Sequence, residues 1–181
     1  MRKSLYILGQ LSELDIEWLA TKGDKLQVAP GTTLIKENET VDALYIILDG
    51  AFSVATEAIG TKELARLGSG EIVGEMSFVD TRPPSASVTA VDQSTVLAIP
   101  QLQLVEKMEN DLGFSSRFHR ALAIFLSYRL RETVGQLGYG VTTSADEDTF
   151  DPDELDENIL DNVHLAGANF DRILKKIMSH D

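Results

Sequence analysis

Apolar positions near the N-terminus recur at helical spacing, with Leu11, Leu14, Trp18 and Leu19 sharing one face. Ser12, followed three residues later by Asp15, supplies a capping pair and predicts a short amphipathic helix over residues 11–22. From residue 25 to about 100 the texture changes to short β-rich runs at 25–28, 33–35, 44–48, 52–56, 62–67, 85–91 and 95–99. Pro30-Gly31, Glu37-Asn38, Asp49-Gly50, Gly60, Gly68 and Gly70 punctuate them as turns. Turns about 8–12 residues apart predict an all-β barrel or jelly roll and argue against βαβ units.

Beyond Pro100 the helical period returns, first over 102–108 and then in a long helix over about 113–137. The long helix carries two apolar rows. Phe118, Ala121, Leu122 and Phe125 repeat at three and four, while Leu126, Leu130, Val134 and Leu137 form a second row displaced around the axis. One row covers the β-domain; the other needs a different partner, most economically the same helix of a second copy, so a homodimer is expected. Residues 140–158 hold eight acidic side chains and no Lys or Arg, which sets off 138–158 as an acidic, solvated linker. Leading into and along the tail, 159–181, Leu155, Ile159, Leu160 and Val163, then Phe170, Ile173, Leu174 and Ile177, predict two short amphipathic helices around His164-Leu165-Ala166-Gly167. Helices that short need something to pack against, and a protein partner for the tail is one candidate.

Charge narrows the function classes. Sixteen Lys+Arg against 29 Asp+Glu give a net charge of −13 over 181 residues, which disfavours nucleic acid and anionic lipid as partners. The small basic group Arg172, Lys175 and Lys176 is a counter-charge for the acidic linker rather than a DNA-binding surface. The absence of cysteine excludes disulfide scaffolds, thiolate nucleophiles and cysteine-ligated metals. No run approaches the ~18 apolar residues of a membrane span, and the apolar cluster after Met1-Arg2-Lys3 is too short for a signal peptide; a cytoplasmic location is expected. The three histidines, His119, His164 and His180, all lie outside the β-region, so no metal centre inside a barrel is expected. No nucleophile–base motif stands at a recognisable spacing, and no enzyme activity or catalytic residue is assigned.

The candidate chemistry lies in residues 68–90. Gly74 is followed by a segment, 75–78, able to make one helical turn, then by a Pro-rich loop and by Ser85-Ala86 re-entering a strand. A glycine before a helical turn exposes backbone amides suited to a phosphate, while the Glu75 carboxylate suits a sugar hydroxyl. The run from about Leu11 to Gln136 resembles the cyclic nucleotide-binding domain of catabolite activator proteins, kinase regulatory subunits and gated channels. The resemblance rests on Pro30-Gly-Thr-Thr-Leu-Ile35, on Leu44-Tyr-Ile-Ile-Leu-Asp-Gly50 and on Leu67-Gly-Ser-Gly-Glu-Ile-Val-Gly-Glu-Met-Ser-Phe78.

That resemblance implies a mainly β fold with flanking helices, an eight-stranded double-stranded β-helix or jelly roll over residues 1–137, with the long helix as lid and dimer seam. It implies a ligand, cyclic AMP or cyclic GMP, held by Val73, Gly74, Glu75, Met76, Arg82, Pro84, Ser85 and Ala86, and no cofactor. The sequence departs from the family at Pro84, where nucleotide-binding members carry an arginine four residues before the valine of the closing strand, here Val88. Loss of that guanidinium removes a charge-assisted contact of roughly 1.5–3 kcal/mol. Two functions follow from the resemblance: a regulatory sensor whose ligand in the cassette 74–86 rearranges the long helix and tail, or a ligand-free fold serving as a protein-interaction scaffold.

Overall fold

The computed structural model describes residues 6–57, 62–136 and 157–178. A single helical turn, α1 (Tyr6–Gly9), precedes α2 (Glu13–Lys22), whose start is fixed by the expected pair. The Ser12 hydroxyl accepts from the Asp15 amide and the Asp15 carboxylate accepts from the Ser12 amide. The β-region then runs as β1 (Asp24–Val28), β2 (Thr33–Ile35), β3 (Ala43–Asp49), β4 (Ala51–Thr56), β5 (Lys62–Gly68) and β6 (Ile72–Val73). A short helix, α3 (Glu75–Asp80), interrupts it before β7 (Ser87–Ala90) and β8 (Ser94–Pro100). Three helices close the chain: α4 (Gln101–Asn110), α5 (Leu112–Gln136) and α6 (Glu157–Met178).

The strands make two antiparallel four-stranded sheets, ordered β1-β8-β3-β6 and β2-β7-β4-β5. This is the expected jelly roll with flanking helices. Strand β3 shows how the two halves of the core are built. Its side chains alternate, so Leu44, Ile46 and Leu48 face the helices while Ile47 faces the interior of the roll. Strands β8 and β6 follow suit, with Leu97, Ile99 and Ile72 toward the helices and Val96 and Val73 inward. A strand covered on both faces therefore reads as a continuous apolar run, Leu44-Tyr-Ile-Ile-Leu48, rather than as an alternating one.

Both apolar rows of α5 have addresses. Phe118, Ala121, Leu122 and Phe125 are buried in the helical core, where Phe114 stacks on Phe118 at 5.4 Å and Trp18 tilts against Phe114 at 5.6 Å. Asp15 of α2 ties down α5 through a bidentate pair with Arg117, at 2.7 and 2.9 Å. Of the second row, expected to face another copy, Leu126 and Leu130 line a cavity in the same chain, Leu130 and Val134 are exposed, and Leu137 lies outside the described residues.

The tail differs from expectation. One continuous helix spans Glu157–Met178 where two short ones were predicted, with Gly167 inside it. An interior glycine costs about 1 kcal/mol, and the apolar face formed by Ala166, Phe170, Ile173 and Ile177 outweighs it by burial against α1 and α2. Of the basic residues, Arg172 pairs with Glu13 at 2.9 Å and Lys176 with Glu17 at 2.8 Å, both on α2. Residues 137–156, most of the expected acidic linker, lie outside the described residues.

Candidate functional site

Residues after β6 turn sharply because Gly74 adopts φ +89°, a left-handed conformation available at little cost only to glycine. A Cβ there would stand 2.9 Å from the Ala43 carbonyl oxygen, so the position is closed to side chains on two counts. The turn delivers Glu75 as the first residue of α3 and buries it, with 3% of its side chain exposed. At the other end, Thr81 caps α3 in the left-handed region at φ 58°, its amide donating to the Ser77 carbonyl at 3.0 Å. The loop that follows is shaped by the Asp80 carboxylate, which accepts from the Arg82 amide, and by the Pro84 carbonyl, which accepts from Asn38.

These elements wall an open cavity of about 710 Å³ between the mouth of the roll and α5. All eight residues singled out from the sequence, Val73, Gly74, Glu75, Met76, Arg82, Pro84, Ser85 and Ala86, line it. The floor is apolar, from Ile35, Val54, Leu67 and Val88 of the strands. Leu64, Met76 and Leu130 are exposed at its walls, an apolar lining open to solvent that a flat hydrophobic group would cover.

The sequence did not show what α5 contributes. Leu126, Arg129, Leu130 and Thr133 fall on one face of the helix and reach the cavity. Arg129 donates from Nη1 to Oε1 of Glu75, and its guanidinium carbon lies 5.1 Å from the centre of the Phe125 ring. Burial pushes the Glu75 carboxyl above its ordinary value of 4.5, opposed by the charge of Arg129 and by the hydrogen bond from the residue's own amide. A second contact joins α3 to α5: the Phe78 ring meets Phe118 edge-on at 5.8 Å. The available signal was a single cation within the apolar row Leu126–Leu130–Val134, a position where helical period alone does not say which surface is faced.

Among the described residues no cluster of His, Asp and Glu could hold a metal ion. Nor is any described helix long and apolar enough to cross a membrane.

Residues 25–111 match the family model of the cyclic nucleotide-binding domain. The cyclic AMP receptor protein of Thermus thermophilus is 32% identical over 107 residues, 56% of this chain and 46% of that protein. The cAMP-dependent protein kinase type II regulatory subunit of Drosophila melanogaster is 32% identical over 79 residues, 43% of this chain and 21% of that one. The chain thus spans less than half the length of either curated relative. A solved cyclic nucleotide-binding domain from Methylobacillus flagellatus KT superposes with a TM-score of 0.68 at 22% identity, covering 80% of this chain and 85% of its own. At that identity the likeness shows the fold.

Proposed function

Residues 25–111 belong to the cyclic nucleotide-binding domain family, and from that premise we propose that the chain is a regulatory module sensing a cyclic nucleotide, cyclic AMP or cyclic GMP, in the cavity between the cassette 74–86 and α5. The observation that carries this reading is the placement of Glu75. A carboxylate sits buried in a 710 Å³ cavity, beside a left-handed glycine and beneath an apolar helix face. A carboxylate there accepts hydrogen bonds from ribose hydroxyls, and Leu126, Leu130 and Leu64 offer apolar cover for a base.

The mechanism is binding without covalent chemistry. Glu75 and Phe78 both touch α5, so a ligand that engages Glu75 alters a tie between cassette and helix. Helix α5 in turn packs on α1, and α1 on α6, which gives a contiguous route from cavity to tail. In this reading the tail changes its docking or presents itself to a protein partner. A homodimer along α5 is part of the same proposal, using Leu130 and Val134, which stay exposed. Nucleic acid and membrane are disfavoured by the net charge of −13, and a cytoplasmic location accords with the lack of cysteine.

A ligand-free scaffold is favoured by two observations: Glu75 already has a partner in Arg129, and Pro84 stands where nucleotide-binding relatives carry an arginine. Thermal unfolding of the chain against cyclic AMP and cyclic GMP separates the two. Binding confined to the folded state at about a hundred times the dissociation constant adds ~2.7 kcal/mol, or roughly 5–10 °C for a chain of this size. The sensor reading expects such a shift with one nucleotide and its loss in Glu75→Ala. No shift at millimolar nucleotide contradicts the sensor and leaves the scaffold.

A further inference from the structure

Among the described residues, four charged side chains line the cavity: Glu75, Asp80, Arg82 and Arg129. An anionic ligand must draw its counter-charge from one of the two arginines, because Pro84 has neither charge nor amide hydrogen. Arg82 lies on an exposed stretch of loop. Arg129 is placed differently: it is anchored on the long helix, packed over Phe125, two-thirds buried and in contact with the buried carboxylate. A guanidinium carries five N–H donors in a planar fork, and the contact with Glu75 uses Nη1.

Charge balance then restricts what can enter. A sugar hydroxyl that donates to Glu75 competes with Arg129 for the same carboxylate. Displacing the guanidinium leaves a partly desolvated cation, which is costly unless the incoming molecule also supplies an anion within its reach. A neutral nucleoside pays that cost; a sugar phosphate offsets it. We infer that Arg129 is the anion-binding, specificity-determining residue of this cavity, held by Glu75 as seen here and passed to the phosphate of the ligand when sugar hydroxyls take over the carboxylate. This rests on the cyclic nucleotide reading and assigns to α5 the cation that the cassette lacks.

The test is calorimetric titration of the full chain with cyclic AMP and with adenosine, which keeps base and sugar but has no phosphate. The wild type is expected to prefer cyclic AMP. Arg129→Ala is expected to weaken cyclic AMP by roughly tenfold to a hundredfold while leaving adenosine unchanged or tighter, with Arg129→Lys between. Arg82→Ala is expected to weaken cyclic AMP less than Arg129→Ala does. Because Arg129→Ala strands a buried carboxylate, the double variant Glu75→Gln with Arg129→Ala keeps the test open: it is expected to fold and to bind cyclic AMP and adenosine alike. If Arg129→Ala leaves the preference for cyclic AMP intact, or if Arg82→Ala abolishes it, the inference is overturned while the sensor reading stands. A wild type that binds neither cyclic AMP nor cyclic GMP overturns the sensor reading itself.

Discussion

Gly74 and Glu75 are neighbours whose constraints differ in kind, one steric and one electrostatic. Gly74→Ala adds a Cβ 2.9 Å from a backbone oxygen at a positive φ, so a loss of about 1–3 kcal/mol is expected, read as a lowered midpoint in urea unfolding. Thr81 works in the other direction. A β-branched residue held at φ 58° stores strain, and Thr81→Asn is expected to raise stability by roughly 0.5–1 kcal/mol in the same assay. The two buried carboxylates give opposite pH signatures. Burial raises Glu75, so its contribution to stability is full below about 4.5 and is lost as pH rises through its folded value. Burial also pushes Asp15 upward, but hydrogen bonds from Arg117 and Ser12 outweigh it and leave the group below its ordinary 3.8. Its contribution is therefore present above 3.8 and lost as pH falls through the folded value. Unfolding free energy measured across the acid range is expected to show a shallower acid loss in Asp15→Asn. In Glu75→Gln, the decline above pH 4.5 is expected to be shallower.

Helix α6 is where element-scale packing matters most. Its Ile173 is fully buried against α1 and α2, and Asn169 donates to the carbonyls of Leu8 and Leu11 at 2.7 and 3.3 Å. Ile173→Ala is expected to cost about 2–4 kcal/mol in chemical unfolding. Elements set by local rules were legible in the sequence: the Ser12–Asp15 cap, the strand runs closed by Gly50 and Gly68, and the first row of α5 all stand as read. Strand β6, two residues long, carries too little pattern to be read, and the single helix at the tail was obscured by Gly167. The second row of α5 was seen, but its part in the cavity was not, since periodicity identifies a face and not its neighbour. The Glu75–Arg129 pair spans 54 residues, so only the cation among the apolar positions of α5 hints at it.

At the scale of the whole molecule, the roll supplies a cavity and the helices supply the means to report on it. The cassette touches α5 through the Glu75–Arg129 ion pair and the Phe78–Phe118 contact, among others, and α5 reaches the tail through α1. A module of this design responds to a ligand only if the ligand interacts differently with the two arrangements of α5, which is what competition for Glu75 provides. The central claim is that a cyclic nucleotide sits between residues 73–86 and the face of α5 bearing Leu126, Arg129 and Leu130. Amide hydrogen exchange of the full chain with and without saturating cyclic AMP or cyclic GMP tests it most directly. The account predicts slowed exchange confined at first to residues 72–90 and 126–133, with a smaller change in α6. Unchanged exchange in both segments, in a chain that remains folded, would contradict it.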